Sequence, residues 1–231
     1  MMGITTILLA LGGPLTDDDA GIEAWHEHLR RLLLERRGKT VTDSEIETAL
    51  FRAVECYAPS FISYIIWQLS KPDKNLFFEL RAECDRFPFS SYFRMRPGAQ
   101  EVLQQLHGHF KLGLAANQRK SIREYLEKEN ILQFFDSTLV SEDLNFTKPD
   151  LRHFWGVLER LGSKPQEAMM IGDRQDNDIV PARLLGMTAV RVLVGPHREQ
   201  AVRYPREEAD YEVPDISSIL SMPLISNSLR R

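Results

Sequence analysis

"MIGDRQDND", residues 170–178, ends an apolar run abruptly at Gly172 and then sets Asp173, Asp176 and Asp178 within six positions. Like charges crowded at the tip of a buried strand destabilise a fold unless a cation or a function compensates. A solvated loop that caps a helix is the plain alternative. Upstream, "EAMMIGD" (167–173) is an apolar strand pattern, and downstream "NDIVPARLLGM" (177–187) has helical spacing. The stretch therefore reads as the turn of a strand–loop–helix unit.

The same rhythm runs outward from it. From Met95 onward, "RPGAQEVLQQLHGHF" (96–110) predicts a helix with Pro97 near its start, followed by a strand in "KLGLAAN" (111–117) and a helix in "KSIREYLEKENIL" (120–132). "FDSTLVS" (135–141) predicts a short strand, "PDLRHFWGVLERLG" (149–162) a helix begun by Pro149 and Asp150, and "TAVRVLV" (188–194) a strand. "ADYEVP" (209–214) and "ISSILSM" (216–222) close the series, and "ISNSLRR" (225–231) is expected to be a loose tail. Ile4 to Leu11 is continuously apolar, as in a strand covered on both faces. Alternating strands and helices predict an α/β fold with a Rossmann-like, doubly wound parallel sheet.

Residues 18–92 differ, showing helical periodicity and no strand pattern. "GIEAWHEHLRRLLLERRG" (21–38) stops at Gly38, "TDSEIETALFRAV" (42–54) offers Thr42 or Asp43 as N-cap, and "PSFISYIIWQLS" (59–70) and "NLFFELRAECDRF" (75–87) follow. The expected organisation is an α/β core from 1–17 and 93–231, interrupted by an α-helical insert of about four helices at 18–92. Asp17, Asp18 and Asp19 are expected to cap the first insert helix, and Phe61, Tyr64, Trp67, Phe77 and Phe78 to form its core.

The 231 residues are 43% hydrophobic and 27% charged with a net charge of −4, an ordinary globular composition. No polybasic block points to nucleic acid or an anionic membrane surface. Cys56 and Cys84 have neither metal spacing nor a disulfide framework, so a reducing cytoplasm is the expected location. The apolar start "ITTILLALGG" (4–13) lacks a basic flank and is too short to span a bilayer. His26 and His28, two apart on a helix, and His107 and His109, flanking a glycine, form no metal set.

In open α/β sheets, ligands bind beyond the C-terminal strand ends. The residues there are Gly12-Gly13-Pro14, Asn117-Gln118, Ser141 with Lys148, and Asp173 to Asp178. With "TKPD" (147–150), "RPGAQEVLQQL" (96–106) and "ADYEVPDISSIL" (209–220), this set resembles the haloacid dehalogenase-like superfamily of phosphatases and related hydrolases over nearly the whole chain. The resemblance implies a helical cap inserted after the first motif and a Mg²⁺-dependent phosphatase of a small phosphorylated metabolite, as a monomer or homodimer. In that chemistry an aspartate attacks phosphorus, an acid two residues later protonates the leaving group, and Mg²⁺ offsets the charge repulsion.

Carried over residue by residue, the resemblance makes Asp173, Asp178 and the Gly12 carbonyl the Mg²⁺ ligands and Lys148 the catalytic lysine. Gly13, Ala116, Asn117 and Lys148 fall on the phosphate-binding positions, although Ala116 stands where a hydroxyl is common. Asp176 is read as the plain case, a loop residue beside the helix start. "ILLALGGPLTDD" (7–18) has the shape of the first motif and keeps Asp17, but Ala10 occupies the nucleophile position and Gly12 the general-acid position. A methyl group can neither attack phosphorus nor bind a metal, so an inactive or nearly inactive protein with a weakened Mg²⁺ site is expected. Two origins stay open: a natural pseudoenzyme with a binding or regulatory role, or replacement of an aspartate. A dehalogenase proper needs the same nucleophile without a metal, and Asp173 speaks against it.

Overall fold

In the computed structural model, which describes residues 3–230, a parallel sheet is built from β1 (Thr6–Leu9), β4 (Lys111–Leu114), β5 (Ala168–Gly172), β6 (Thr188–Val192) and β7 (Tyr211–Val213). The order is β4-β1-β5-β6-β7, with Leu9 opposite Leu114 on one side and Ile171 on the other. All four residues of β1 and all five of β5 are buried, because helices cover both faces of these central strands. A two-stranded antiparallel ribbon pairs β2 (Thr16–Asp17) with β3 (Arg94–Met95).

The helices, in chain order, are α1 (Asp19–Arg37), α2 (Asp43–Glu55), α3 (Phe61–Ser70), α4 (Lys74–Arg86), α5 (Ala99–Leu106), α6 (Ile122–Lys128), α7 (Ser141–Leu144), α8 (Leu151–Leu161), α9 (Val180–Leu185) and α10 (Pro223–Leu229). The described residues form two compact units. One holds everything up to Asp17 and from Arg94 onward; the other is Asp18–Phe93.

The α/β unit is cored by Leu8, Met170 and Ala189 of the sheet against Phe154, Val157 and Leu158 of α8 and Ala182 of α9. The helical unit, α1 to α4, is cored by Trp25, Leu29, Leu33, Ile46, Ile65, Ile66 and Leu80. Its ends follow from local chemistry. Gly38 closes α1 in the left-handed conformation, and Thr42 opens α2 in a reciprocal capping box with Glu45.

Four expectations need correction. "FDSTLVS" is no strand: Ser137 makes a single bridge to Gly113, after which Thr138 turns away to hold Arg123 through its carbonyl and hydroxyl oxygens. "ISNSLRR" is not a loose tail through residue 230, since it lies largely in α10 with Ile225 fully buried; Arg231 lies outside the described residues. Asp18 occupies the N-cap position of α1 but its side chain makes no capping bond. Phe61 and Phe77 pack on the helical core, whereas Trp67 and Phe78 are exposed because they fall on the outer faces of α3 and α4.

Candidate functional site

Strands β1 and β5 are neighbours, and the chain leaves them in opposite directions around the sheet, so their C-terminal ends mark the topological switch point at which ligands of open α/β sheets bind. Ala10 lies at this point. It is 3% exposed, donates its amide to the Ile171 carbonyl at 2.9 Å, and packs with the apolar cluster beneath the sheet end.

Beyond Ala10 the chain folds into a tight loop. Gly13 donates to the Thr16 carbonyl, and Thr16 returns a bond to the Leu11 carbonyl. Gly13 has φ +89°, and a Cβ there would collide with the Asp173 carboxylate, so this close approach requires glycine twice over. Arg96, which sequence reasoning passed over, anchors the loop by donating from Nε to the Gly13 carbonyl and from a terminal nitrogen to Asp17 at 3.4 Å. No motif flags it, because its partner is a main-chain atom 83 residues away.

Asp173 is 5% exposed. Burial, and next the charge of Asp178, push its carboxyl up to about 8, while Arg174 and Lys148 pull weakly the other way. Asp178 is packed against the bare α-carbon of Gly172, where a Cβ would collide with it. Its Oδ1 accepts from the Lys148 ammonium at 2.5 Å and its Oδ2 from the Arg174 amide at 3.1 Å. The Lys148–Asp178 pair is nearly dry, with side chains 6% and 1% exposed.

Lys148 is set in place by Asn117. The Asn117 amide donates to the Lys148 carbonyl at 3.0 Å, and its Oδ1 accepts from the Lys148 N–H at 2.7 Å. Both polar ends of Asn117 are thus spent on the main chain of one residue, in the two peptide groups that flank the Lys148 α-carbon. Ala116 is buried and accepts on its carbonyl from Ser141, which presents its own hydroxyl to the Gln118 carbonyl.

Asp176 departs from expectation. It is buried, paired with Arg174 at 2.6 Å, and accepts from Gln200. A loop that curls into a π-turn over Gln175–Ile179 draws it inward, and a sequence window cannot see the Gln200 partner 24 residues away. His153 on α8 is also fully buried, bonded through Nδ1 to the Phe146 carbonyl.

The structure thus gathers Gly13, Lys148, Asp173 and Asp178, with Asn117 behind Lys148 and Ala10 below. The donor set can be weighed against a bound Mg²⁺, which takes hard oxygen ligands in an octahedron. Both Asp178 oxygens are committed, position 10 offers a methyl group, and Asp173 is the one carboxylate left. Among the described residues, no three His, Cys, Asp or Glu side chains stand together as metal ligands. The residues present do not fit a resident Mg²⁺.

The family model for haloacid dehalogenase-like hydrolases matches residues 23–192. Among curated relatives, the chain is 35% identical over 108 residues to a glyceraldehyde 3-phosphate phosphatase of Methanocaldococcus jannaschii, covering 47% of this chain and 45% of that one. It is 32% identical over 126 residues to the protein of the same name from Methanopyrus kandleri, covering 53% and 54%. The chain spans about half the length of these curated relatives. The crystal structure of a HAD phosphatase from Thermococcus onnurineus superposes with a TM-score of 0.67 at 23% identity, covering 94% of this chain and 97% of that one. No helix among the described residues is long and apolar enough to cross a membrane.

Proposed function

The chain belongs to the haloacid dehalogenase-like hydrolase family, and from that premise we propose that it is a phosphatase-type member that binds a small phosphorylated metabolite but turns it over at no more than trace rates. One observation supports the reading: Lys148, the residue the resemblance assigns to phosphate, is held by Asp178 and Asn117, while the position it assigns to the nucleophile carries a buried methyl group.

The chemistry follows from what each side chain can do. Covalent phosphoryl transfer in this family splits one displacement into two through an aspartyl phosphate. Ala10 has no atom to form that bond, and Gly12 has none to protonate the leaving oxygen. What remains is attraction. The Lys148 ammonium, aimed by Asn117, is a point charge for a phosphoryl oxygen. Small phosphomonoesters of the three-carbon class are the substrates to try first, because the glyceraldehyde 3-phosphate phosphatases of two archaea are among the relatives matched. The helical unit is assigned the part of a substrate-selecting cap. Removal of a nucleophile elsewhere has lowered turnover by on the order of 10⁶, the remainder coming from binding groups.

The test restores the missing atom. Ala10→Asp should gain measurable Mg²⁺-dependent hydrolysis of at least one phosphate ester in a panel, with Ala10→Asn silent. Gly12 should keep the gained rate low, since water must protonate the leaving group. Equal silence of both variants with Mg²⁺ present, each shown to be folded, would mean that the cleft has drifted beyond catalysis and leave a non-catalytic binding protein.

A further inference from the structure

We infer that the outer face of α4 is a dimerisation surface, on which a second copy of this chain docks antiparallel about a two-fold axis. The inference stands on the helical unit alone and goes beyond the phosphatase reading above without depending on it.

The face is exposed and aromatic. Helical spacing puts Lys74, Phe78, Ala82 and Asp85 on one exposed stripe of α4, opposite the buried stripe of Leu76, Leu80 and Cys84. Phe78 is 66% exposed. Its ring meets Phe77 edge-on with centres 5.3 Å apart, and Phe77 meets Trp67 of α3 in the same way at 5.9 Å. Trp67 is itself 36% exposed. Scattered single apolar residues are normal on a surface, but a contiguous aromatic patch rimmed by charge marks an interaction site.

The charges on the stripe select the occupant. Lys74 lies in the first turn of α4 and Asp85 in the last, each beside the end of its own helix dipole that disfavours it. Asp85 meets Arg81 at 2.8 Å through one carboxylate oxygen. Laid antiparallel on itself, the stripe brings Lys74 of each copy to Asp85 of the other, and each charge to the favourable end of the facing helix. Phe78 then falls against the small side chain of Ala82 in the middle of the contact. Such an arrangement is isologous and closes at two copies. A wholly acidic or wholly basic partner would meet like charge at one end of the stripe, so the pattern fits a second copy better. One helix pair is small beside the roughly 800 Å² per partner of a standard interface, so the association should be weak and reversible.

The experiment is sedimentation equilibrium of the full chain from about 10 µM to about 500 µM, a range suited to a weak dimer. A concentration-dependent monomer–dimer equilibrium is expected, and Phe78→Asp should weaken it by about tenfold or more. Lys74→Glu and Asp85→Lys should each weaken it by about threefold or more, since either change places like charges together at both ends of the contact. Combining the two should bring the affinity back to within about threefold of the unmodified chain, because the exchanged charges meet again across the two-fold axis. A chain that stays monomeric throughout the range overturns the inference. So does a dimer that Phe78→Asp leaves intact, or a charge-exchanged chain no tighter than the single variants. Should the Phe78 variant lose its fold, the unmodified chain and the charge exchange decide. None of these outcomes bears on the phosphatase reading, which rests on Lys148 and Ala10.

Discussion

Ala10 and Asn117 illustrate how single residues set the character of this cleft. Ala10 is buried within an apolar cluster, so a polar replacement must find partners or destabilise the strand end. Asn117 is a positioning residue whose effect is felt at Lys148. Asn117→Ala leaves the Lys148 N–H and carbonyl without their side-chain partners, and is expected to lower stability by about 1–3 kcal/mol. Chemical denaturation would measure that loss, and phosphate titration would show weaker binding; unchanged values in both would remove Asn117 from the site. Asp178→Leu should cost more, about 3–5 kcal/mol, because it strands the Lys148 ammonium in a nearly dry position. A double replacement of Lys148 and Asp178 by apolar residues should recover much of that stability while abolishing phosphate binding.

At the scale of elements, the loop between β1 and β2 is the part with the least room for change. It has few residues, a glycine at positive φ, and an arginine from beside β3 holding its carbonyl. Arg96→Met should leave the sheet intact but loosen this turn. Amide exchange at Gly13 and Thr16, whose N–H groups close the turn, should speed up by roughly tenfold or more. Exchange at Ala10, whose amide belongs to the sheet, should stay slow. A uniform acceleration across all three would mean that Arg96 supports the whole unit rather than the loop. Gly13→Ala is predicted to be worse tolerated than Arg96→Met, since it strains the backbone and displaces the Asp173 carboxylate together.

Across the whole molecule, buried histidines link stability to acid. Burial, opposed by the bond to Phe146, lowers His153 to about 4, and burial aided by Arg174 lowers His197 to about 3. His26 in the helical unit is lowered to about 4, by burial first and Arg30 next. These groups are neutral in the fold and take up protons more readily when unfolded. Stability is therefore fully present above the ordinary histidine value of 6.5 and is lost as pH falls from 6.5 toward 4. His153 alone contributes at most about 3 kcal/mol to that loss, from a shift of some 2.5 pH units. Denaturant midpoints recorded between pH 7 and 4 should fall, and His153→Gln should flatten the slope. A slope identical in that variant would assign the acid lability to other groups.

Some of this was written in the residue order alone. The apolar run Ile4–Leu11 and the apolar stretch before Asp173 announce the strands β1 and β5, and helical periodicity punctuated by Gly38 and Thr42 announces α1 and α2. Such patterns are local, since burial repeats with the geometry of one element. The missing nucleophile was equally plain, because a methyl group has the same chemistry in any fold. What the tertiary structure alone decided is which polar groups meet. Ser137 bridges Gly113 without continuing into a strand, Asp176 is drawn inward by Gln200, Arg96 reaches the Gly13 carbonyl, and Asn117 turns both its polar ends to Lys148. Each of these depends on a partner distant in the chain, and on a hydrogen-bond geometry that holds over about 3 Å and fails beyond it. Residue type sets what a side chain can donate or accept; only the folded chain sets where its partner stands.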